Sequence, residues 1–185
     1  MSNLKELTWE HHKNAERQEF VREMFSGKLT EERYATFLFN QHPQYNLLEV
    51  FAMVHGLLDV RRAPAIHDDY QELWKDTNRQ PPLLPVVKEY MDHLVKIQND
   101  PDKLMAHIYV RHMGDLSGGQ MLAKKVPGSG KLYKFDEPVD ELKEKIRARL
   151  NDSMAKELRS VLTLQPNYFN RCRRLKSECI VGTFN

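Results

Sequence analysis

Apolar positions recur at helical spacing along most of the chain. After Thr30 they fall at Tyr34, Phe37, Leu38, Tyr45, Leu48 and Ala52, which predicts a helix running to about Leu58. After Pro101 they fall at Leu104, Ile108, Leu116, Leu122 and Ala123, which predicts another reaching Lys124-Lys125. The pattern predicts further helices over 4–25, 67–78, from the connection marked by Pro81-Pro82 and Pro85 to about Gln98, and from Asp136 to about Leu158. A last, basic helix follows Gln165-Pro166 and reaches about Ile180. The punctuation agrees. Gly27 suits a C′ position, Thr30-Glu31-Glu32 an N-cap with acids in the first turn, and Asp100-Pro101 a cap followed by a first-turn proline. Pro43 should kink or break the helix that contains it. Gly128, Ser129 and Gly130 mark a loop over 126–135. No stretch alternates as a strand and none repeats. The expected fold is all-α: one domain over 1–185 with about seven or eight helices.

One of these helices carries residues that a plain core helix would avoid. Gly114, Gly118 and Gly119 fall within 101–125, and three interior glycines give up roughly 3 kcal/mol of helix propensity against alanine. At helical spacing Arg111, Gly114, Asp115, Gly118, Gly119 and Leu122 share a stripe. Bare backbone with one carboxylate at its centre suits a flat, rigid ligand lying against the helix. It equally suits close packing of a second helix on small residues.

Composition narrows the setting. The 185 residues suffice for one domain with a real core, with 41% hydrophobic and 29% charged residues. No apolar run approaches the roughly 20 residues that span a bilayer, and the N-terminus lacks a signal-peptide core. A cytoplasmic protein without a membrane anchor is expected. Cys172 and Cys179 are the only cysteines; seven residues apart on a helix, they would stand roughly 10.5 Å from each other, too far for a disulfide. The net charge of +2 gives no case for nucleic acid. Lysine and arginine nevertheless cluster at Lys143, Lys145, Arg147 and Arg149, and again at Arg171, Arg173, Arg174 and Lys176. Each cluster is either a solvated helix face or a docking surface for an anionic partner.

The run Tyr109-Val110-Arg111-His112-Met113-Gly114-Asp115-Leu116-Ser117-Gly118-Gly119-Gln120 resembles the distal-helix signature of the heme oxygenases, and the resemblance extends from about Leu4 to Asn151. It implies a helical fold with heme sandwiched between a proximal and a distal helix. It also implies oxidative cleavage of heme b at the α-meso carbon to biliverdin IXα, Fe2+ and CO. Heme is then substrate and cofactor together, with O2 and an external electron donor as co-reactants. A soluble, acidic donor of the ferredoxin type is expected to dock on the basic rim.

The resemblance also assigns residues. The segment Leu4 to Glu16 is similar to the family's proximal segment, where a lysine precedes the iron ligand by seven. That register selects His12 over His11 as the ligand, with Lys5 and Glu16 on the same helical face. Glu16 would hold the free ring nitrogen of His12. Lys5, Tyr109, Lys143 and Arg147 match propionate-binding positions; Gly114, Gly118 and Gly119 would line the ring. Asp115 would order water over the iron, and Arg111 and Tyr45 would join its hydrogen-bond network. This chain departs from the family at His112, which stands where an aromatic is usual, and at His42-Pro43, where the family's helix is usually uninterrupted. The main rival is a heme carrier or sensor on the same scaffold, which needs no proton relay. A thiamine-degrading enzyme of the related fold would want a cysteine in the core, and both cysteines lie near the C-terminus.

Overall fold

The computed structural model describes residues 19–162. His12, Lys5, Glu16, both cysteines and the last basic helix therefore lie outside the described residues. Within them every regular element is helical. Helix α1 spans Glu19–Ser26 and stops at Gly27, whose φ of +69° is the left-handed cap conformation. Helix α2, Glu31–Val54, begins where the Thr30 side chain accepts from the Arg33 amide. Helices α3, Ala63–Leu73, and α4, Pro85–Ile97, each carry a proline in the first turn. Helix α5, Pro101–Ser117, starts at Asp100, whose carboxylate accepts from the Lys103 amide at 3.1 Å. A short α6, Gly119–Leu122, follows, then a 3-10 turn at Lys131–Tyr133, α7 at Val139–Ala148, a second 3-10 turn at Asp152–Met154 and α8 over 155–162. Among the described residues no helix is long and apolar enough to cross a membrane.

Four boundaries correct the sequence reading. Helix α2 runs unbroken through Pro43. Tyr34, Phe37 and Leu38 are buried ahead of the proline and Tyr45, Leu48 and Ala52 behind it. Each large buried side chain is worth about 1.5–3 kcal/mol, so packing on both flanks outweighs the ~3 kcal/mol a mid-helix proline costs. The helix expected over 67–78 lies earlier, because Pro64 nucleates its first turn. The expected helix from Asp136 to Leu158 divides after Ala148, where Asn151 turns its side chain onto the Ser153 amide and caps a new start. The long helix from Pro101 divides at Gly118. That residue keeps right-handed helical angles (φ −65°, ψ −30°), so the axis shifts without a reversal.

Two apolar clusters form the core. One joins α1, the first half of α2, α3 and the 122–133 segment; the other joins the second half of α2 to α4, α5, α7 and α8. Helix α2 passes from one to the other between Tyr45 and Leu48. Buried polar groups pin the connections. Asn40 donates to Thr36 O and Pro82 O and accepts from the Leu84 amide. Asp69 accepts from the amides of Lys131 and Leu132 at 2.8 and 2.9 Å, holding the glycine loop to α3.

Candidate active site

Two polar ladders face each other where α2 meets α5. Gln41, Tyr45 and Glu49 stand four residues apart on α2; His107, Arg111 and Asp115 do the same on α5. The Tyr45 hydroxyl donates to Asp115 Oδ2 at 2.8 Å. In the Arg111 fork, Nη1 donates to Gln41 Oε1 at 3.0 Å, Nη2 to Gln44 Oε1 at 2.6 Å, and Nε to the Tyr90 hydroxyl at 3.0 Å. Its guanidinium carbon also lies 5.1 Å from the centre of the Tyr45 ring. Asp115, Arg111 and Tyr45 are thus brought into one site.

Asp115 is 9% exposed. Burial pushes its carboxyl up from 3.8 to about 6, against the opposing influence of His112, the Tyr45 bond, Arg62 and Arg111. Burial also raises the Tyr45 hydroxyl far above its usual range, and the neighbouring carboxylate adds to this. The phenol therefore stays a proton donor, while the carboxyl exchanges its proton near neutral pH.

The network continues away from Asp115 through residues that the sequence reading did not single out. Tyr90 O–H donates to His107 Nδ1 at 2.7 Å, and His107 Nε2 and His93 Nε2 lie 3.0 and 2.7 Å from Glu157 Oε1. Burial lowers His107 to about 4, keeping it neutral, and the hydrogen bond from His107 draws Glu157 down to about 2. For His107 and Glu157 these directions agree on one arrangement: a neutral imidazole donating Nε2–H to an ionised carboxylate. The i+4 series ending in Arg111 and Asp115 was the available signal for His107. Gln44, Tyr90 and Glu157 carry no such mark, because they join the network only through tertiary packing.

The three glycines do not act alike. A Cβ built on Gly114 meets nothing within 4 Å among the described residues, and one on Gly118 meets only the Gly114 carbonyl at 3.7 Å. A Cβ on Gly119 would stand 2.5 Å from the Tyr133 ring. Among the described residues the three glycines of the stripe therefore differ: a Cβ on Gly114 or Gly118 meets little, and Gly119 packs against the Tyr133 ring.

Beside the site, His112 stacks on Tyr45, with ring centres 5.9 Å apart and planes 8° from parallel. Its Nε2 is buried without a hydrogen-bond partner, 3.6 Å from Glu49 Oε1. Glu49 is fully buried and accepts from the amides of Arg62 at 2.5 Å and Ala63 at 3.2 Å, capping α3. Tyr109 is half-buried against the second core cluster. Lys143 and Arg147 share a face of α7, one turn apart. Each has an acid three residues before it: Asp140 at 3.6 Å from Lys143, and Glu144 at 2.5 Å from Arg147.

A sequence-family profile described as "Heme oxygenase" matches residues 1–165. The chain belongs to the heme oxygenase family. Heme oxygenase 2 of Macaca fascicularis is 31% identical over 174 residues, covering 80% of this chain and 54% of that protein. Heme oxygenase 1 of Homo sapiens is 31% identical over 174 residues, covering 80% and 59%. The chain thus spans little more than half the length of these curated relatives. Among solved structures, heme oxygenase from Leptospira interrogans is 28% identical with a TM-score of 0.78, covering 92% of this chain and 98% of that one. Heme oxygenase-1 of the cyanobacterium Synechocystis, solved in complex with heme, is 21% identical with a TM-score of 0.82; it covers 97% of this chain and 95% of its own and supports the shared fold. The signature of α5 and the all-α heme oxygenase fold thus occur together in this chain.

Proposed function

We propose that this chain binds heme b against the open face of α5 and cleaves it at the α-meso carbon. The products are biliverdin IXα, Fe2+ and CO, with O2 and an external, ferredoxin-type donor as co-reactants. The observation that carries this reading is the Asp115 carboxyl, held by the Tyr45 hydroxyl beside the bare backbone of Gly114 and Gly118. A flat macrocycle fits a surface without Cβ atoms, and the carboxyl at its edge is poised near pH 6 to pass protons to water. Heme, as the substrate, supplies the iron at which dioxygen is reduced.

The chain's own groups divide the remaining work. Tyr45 fixes the rotamer of Asp115 through its hydrogen bond. Arg111 holds a positive charge behind the Tyr45 ring, itself fixed by Gln41, Gln44 and Tyr90. Neutral His107 then locks the Tyr90 hydroxyl. In this reading His12 would ligate the iron, and Glu16 would hold its other ring nitrogen. Lys5, Tyr109, Lys143 and Arg147 take the propionates, which fixes how the ring is turned and so which edge is cut. The acids paired with Lys143 and Arg147 would give way to a dianionic rim, because charge-assisted bonds to propionate exceed exposed i,i+3 pairs in strength.

The test is to mix the purified chain with heme, add ascorbate or reduced ferredoxin with its reductase, and follow the spectrum. Loss of the heme band with growth of biliverdin and release of CO is expected. A heme complex that persists unchanged under reductant and O2 overturns the enzymatic reading in favour of a carrier or sensor.

A further inference from the structure

The polar chain behind Arg111 ends in a cluster of which the proposed reaction uses only His107, through its bond to Tyr90. His93 on α4, His107 on α5 and Glu157 on α8 come from three helices. Glu157 Oε1 lies 2.7 Å from His93 Nε2 and 3.0 Å from His107 Nε2, and one ligand atom from each residue falls within 4.8 Å of the others. The imidazole ring centres are 5.3 Å apart. His107 is fully buried, the Glu157 side chain is 12% exposed and that of His93 is 30% exposed. The cluster is therefore closed toward the core and reachable from solvent on the His93 side.

We propose that His93, His107 and Glu157 form a binding site for a divalent first-row transition cation, with Zn2+ as the type, separate from the heme face. Two imidazoles and a carboxylate are a donor set that holds Zn2+ and leaves a fourth position for water. The same set on one face also holds ferrous iron. Tetrahedral bonds of 2.0–2.2 Å to nitrogen and oxygen place neighbouring ligand atoms about 3.3–3.5 Å apart. The observed 2.7 and 3.0 Å separations fall short of that spacing by about 0.3–0.8 Å, and the two imidazoles' ligand atoms lie within 4.8 Å of each other. His107 already carries the feature that orients a ligating imidazole, a partner on its far nitrogen: Tyr90 OH at 2.7 Å from Nδ1.

The cation has competition. It displaces two N–H to carboxylate bonds, and a ligating His107 keeps its proton on Nδ1, so Tyr90 must accept there instead of donating. Occupancy cross-links α4, α5 and α8 and stabilises the folded chain by mass action.

The experiment uses the full chain without heme, so its outcome does not depend on the heme reading. Co2+ is titrated first, followed by visible absorption, then Zn2+ as competitor with thermal unfolding by circular dichroism. The wild type is expected to bind cobalt with the visible bands of a low-coordinate histidine site, to release it to zinc, and to unfold at a higher temperature with zinc. His93→Ala, at a partly exposed position, is expected to fold as the wild type does and to lose one equivalent of cobalt and the thermal shift; Glu157→Ala should lose the same equivalent. Wild-type stoichiometry and spectrum in folded His93→Ala overturn the proposal, as does a wild type that binds no cobalt. Should Glu157→Ala not fold, His93→Ala decides alone.

Discussion

The helical run from α5 through Gly118 into α6 has two sides built to opposite specifications. On the closed side, Gly119 gives its bare Cα to Tyr133, and His112 reaches toward Glu49, whose carboxylate is taken up by the backbone amides that open α3. On the open side, among the described residues, a Cβ on Gly114 or Gly118 meets little, and the Asp115 carboxyl accepts from the Tyr45 hydroxyl where Glu49 accepts from two amides. Both carboxylates are buried. What separates them is how completely the chain satisfies each. A carboxylate tied to backbone at a helix start is part of the frame, and its loss is felt in stability. A carboxylate given a single adjustable partner at the edge of an open face keeps lone pairs for something else, and its loss is felt in chemistry.

The largest expected effect tests the open side. Asp115→Ala should cut heme conversion by about 10²–10⁴-fold, the usual contribution of a positioned acid–base group, while heme affinity stays near wild type. Single-turnover spectra after reduction, alongside a heme titration, read the two separately. Full biliverdin yield from this variant would remove Asp115 from the mechanism. The closed side should respond the other way. Glu49→Ala leaves the Arg62 and Ala63 amides without their acceptor, at about 1–3 kcal/mol for each buried group left unpaired. Urea unfolding should show that loss. A variant as stable as wild type would erase the contrast between the two carboxylates.

The sides were unequally legible in the sequence. The all-α fold followed from apolar spacing and caps, since Thr30, Asp100 and the first-turn prolines act through local backbone chemistry. The grouping of Asp115 with Arg111 and Tyr45 was an expectation of the family resemblance and not of helical spacing. Three features were not legible. Helix α2 survives Pro43 because of packing on both flanks, which no local rule contains. The division after Ala148 depends on a cap at Asn151 inside an otherwise helical pattern. Gly119 separates from Gly118 because helical spacing places both on one stripe, and only the position of Tyr133, fourteen residues on, decides which of them is covered.

Stability against pH sharpens the comparison further. An acid whose folded-state value lies above its ordinary one opposes folding once ionised. For Asp115 the penalty is absent below about pH 4, grows between there and about pH 6, and is constant above. The rise from 3.8 to about 6 corresponds to about 3 kcal/mol at neutral pH. Asp115→Asn should therefore raise stability at pH 7 by up to that amount and flatten its slope between pH 4 and 6, as read by urea midpoints across that range. A slope unchanged by the substitution would show Asp115 to be better solvated than its burial implies. The glycines give a comparison of similar size. Gly119→Ala drives a Cβ into the Tyr133 ring and should cost about 1–3 kcal/mol of stability. Gly118→Ala should leave stability within about 1 kcal/mol, since alanine suits a helix better and meets no neighbour closer than 3.7 Å, yet weaken heme binding. Equal effects of the two substitutions on heme would break the distinction.

The smallest energetic effect probes the seam between the sides. His112 stacks on Tyr45 and has no hydrogen-bond partner for Nε2, so His112→Phe keeps the stack and removes a buried polar atom. Stability should change by about 1 kcal/mol or less, because the ring stack is kept and only the 3.6 Å approach of Nε2 to Glu49 is lost. The consequence appears at Asp115 instead. Around that carboxyl stand Tyr45 from α2, Arg62 ahead of α3, and Arg111 and His112 on α5 itself. Of these, His112 has the strongest influence holding it down. Without that imidazole, burial acts with less opposition and the carboxyl should titrate above about 6. The pH profile of heme conversion, measured with ascorbate so that donor docking does not enter, should shift its acid-side limb to higher pH in His112→Phe while heme affinity holds. An unshifted profile would show that the histidine belongs wholly to the closed side, as a packing ring with no hold on the carboxyl across the helix.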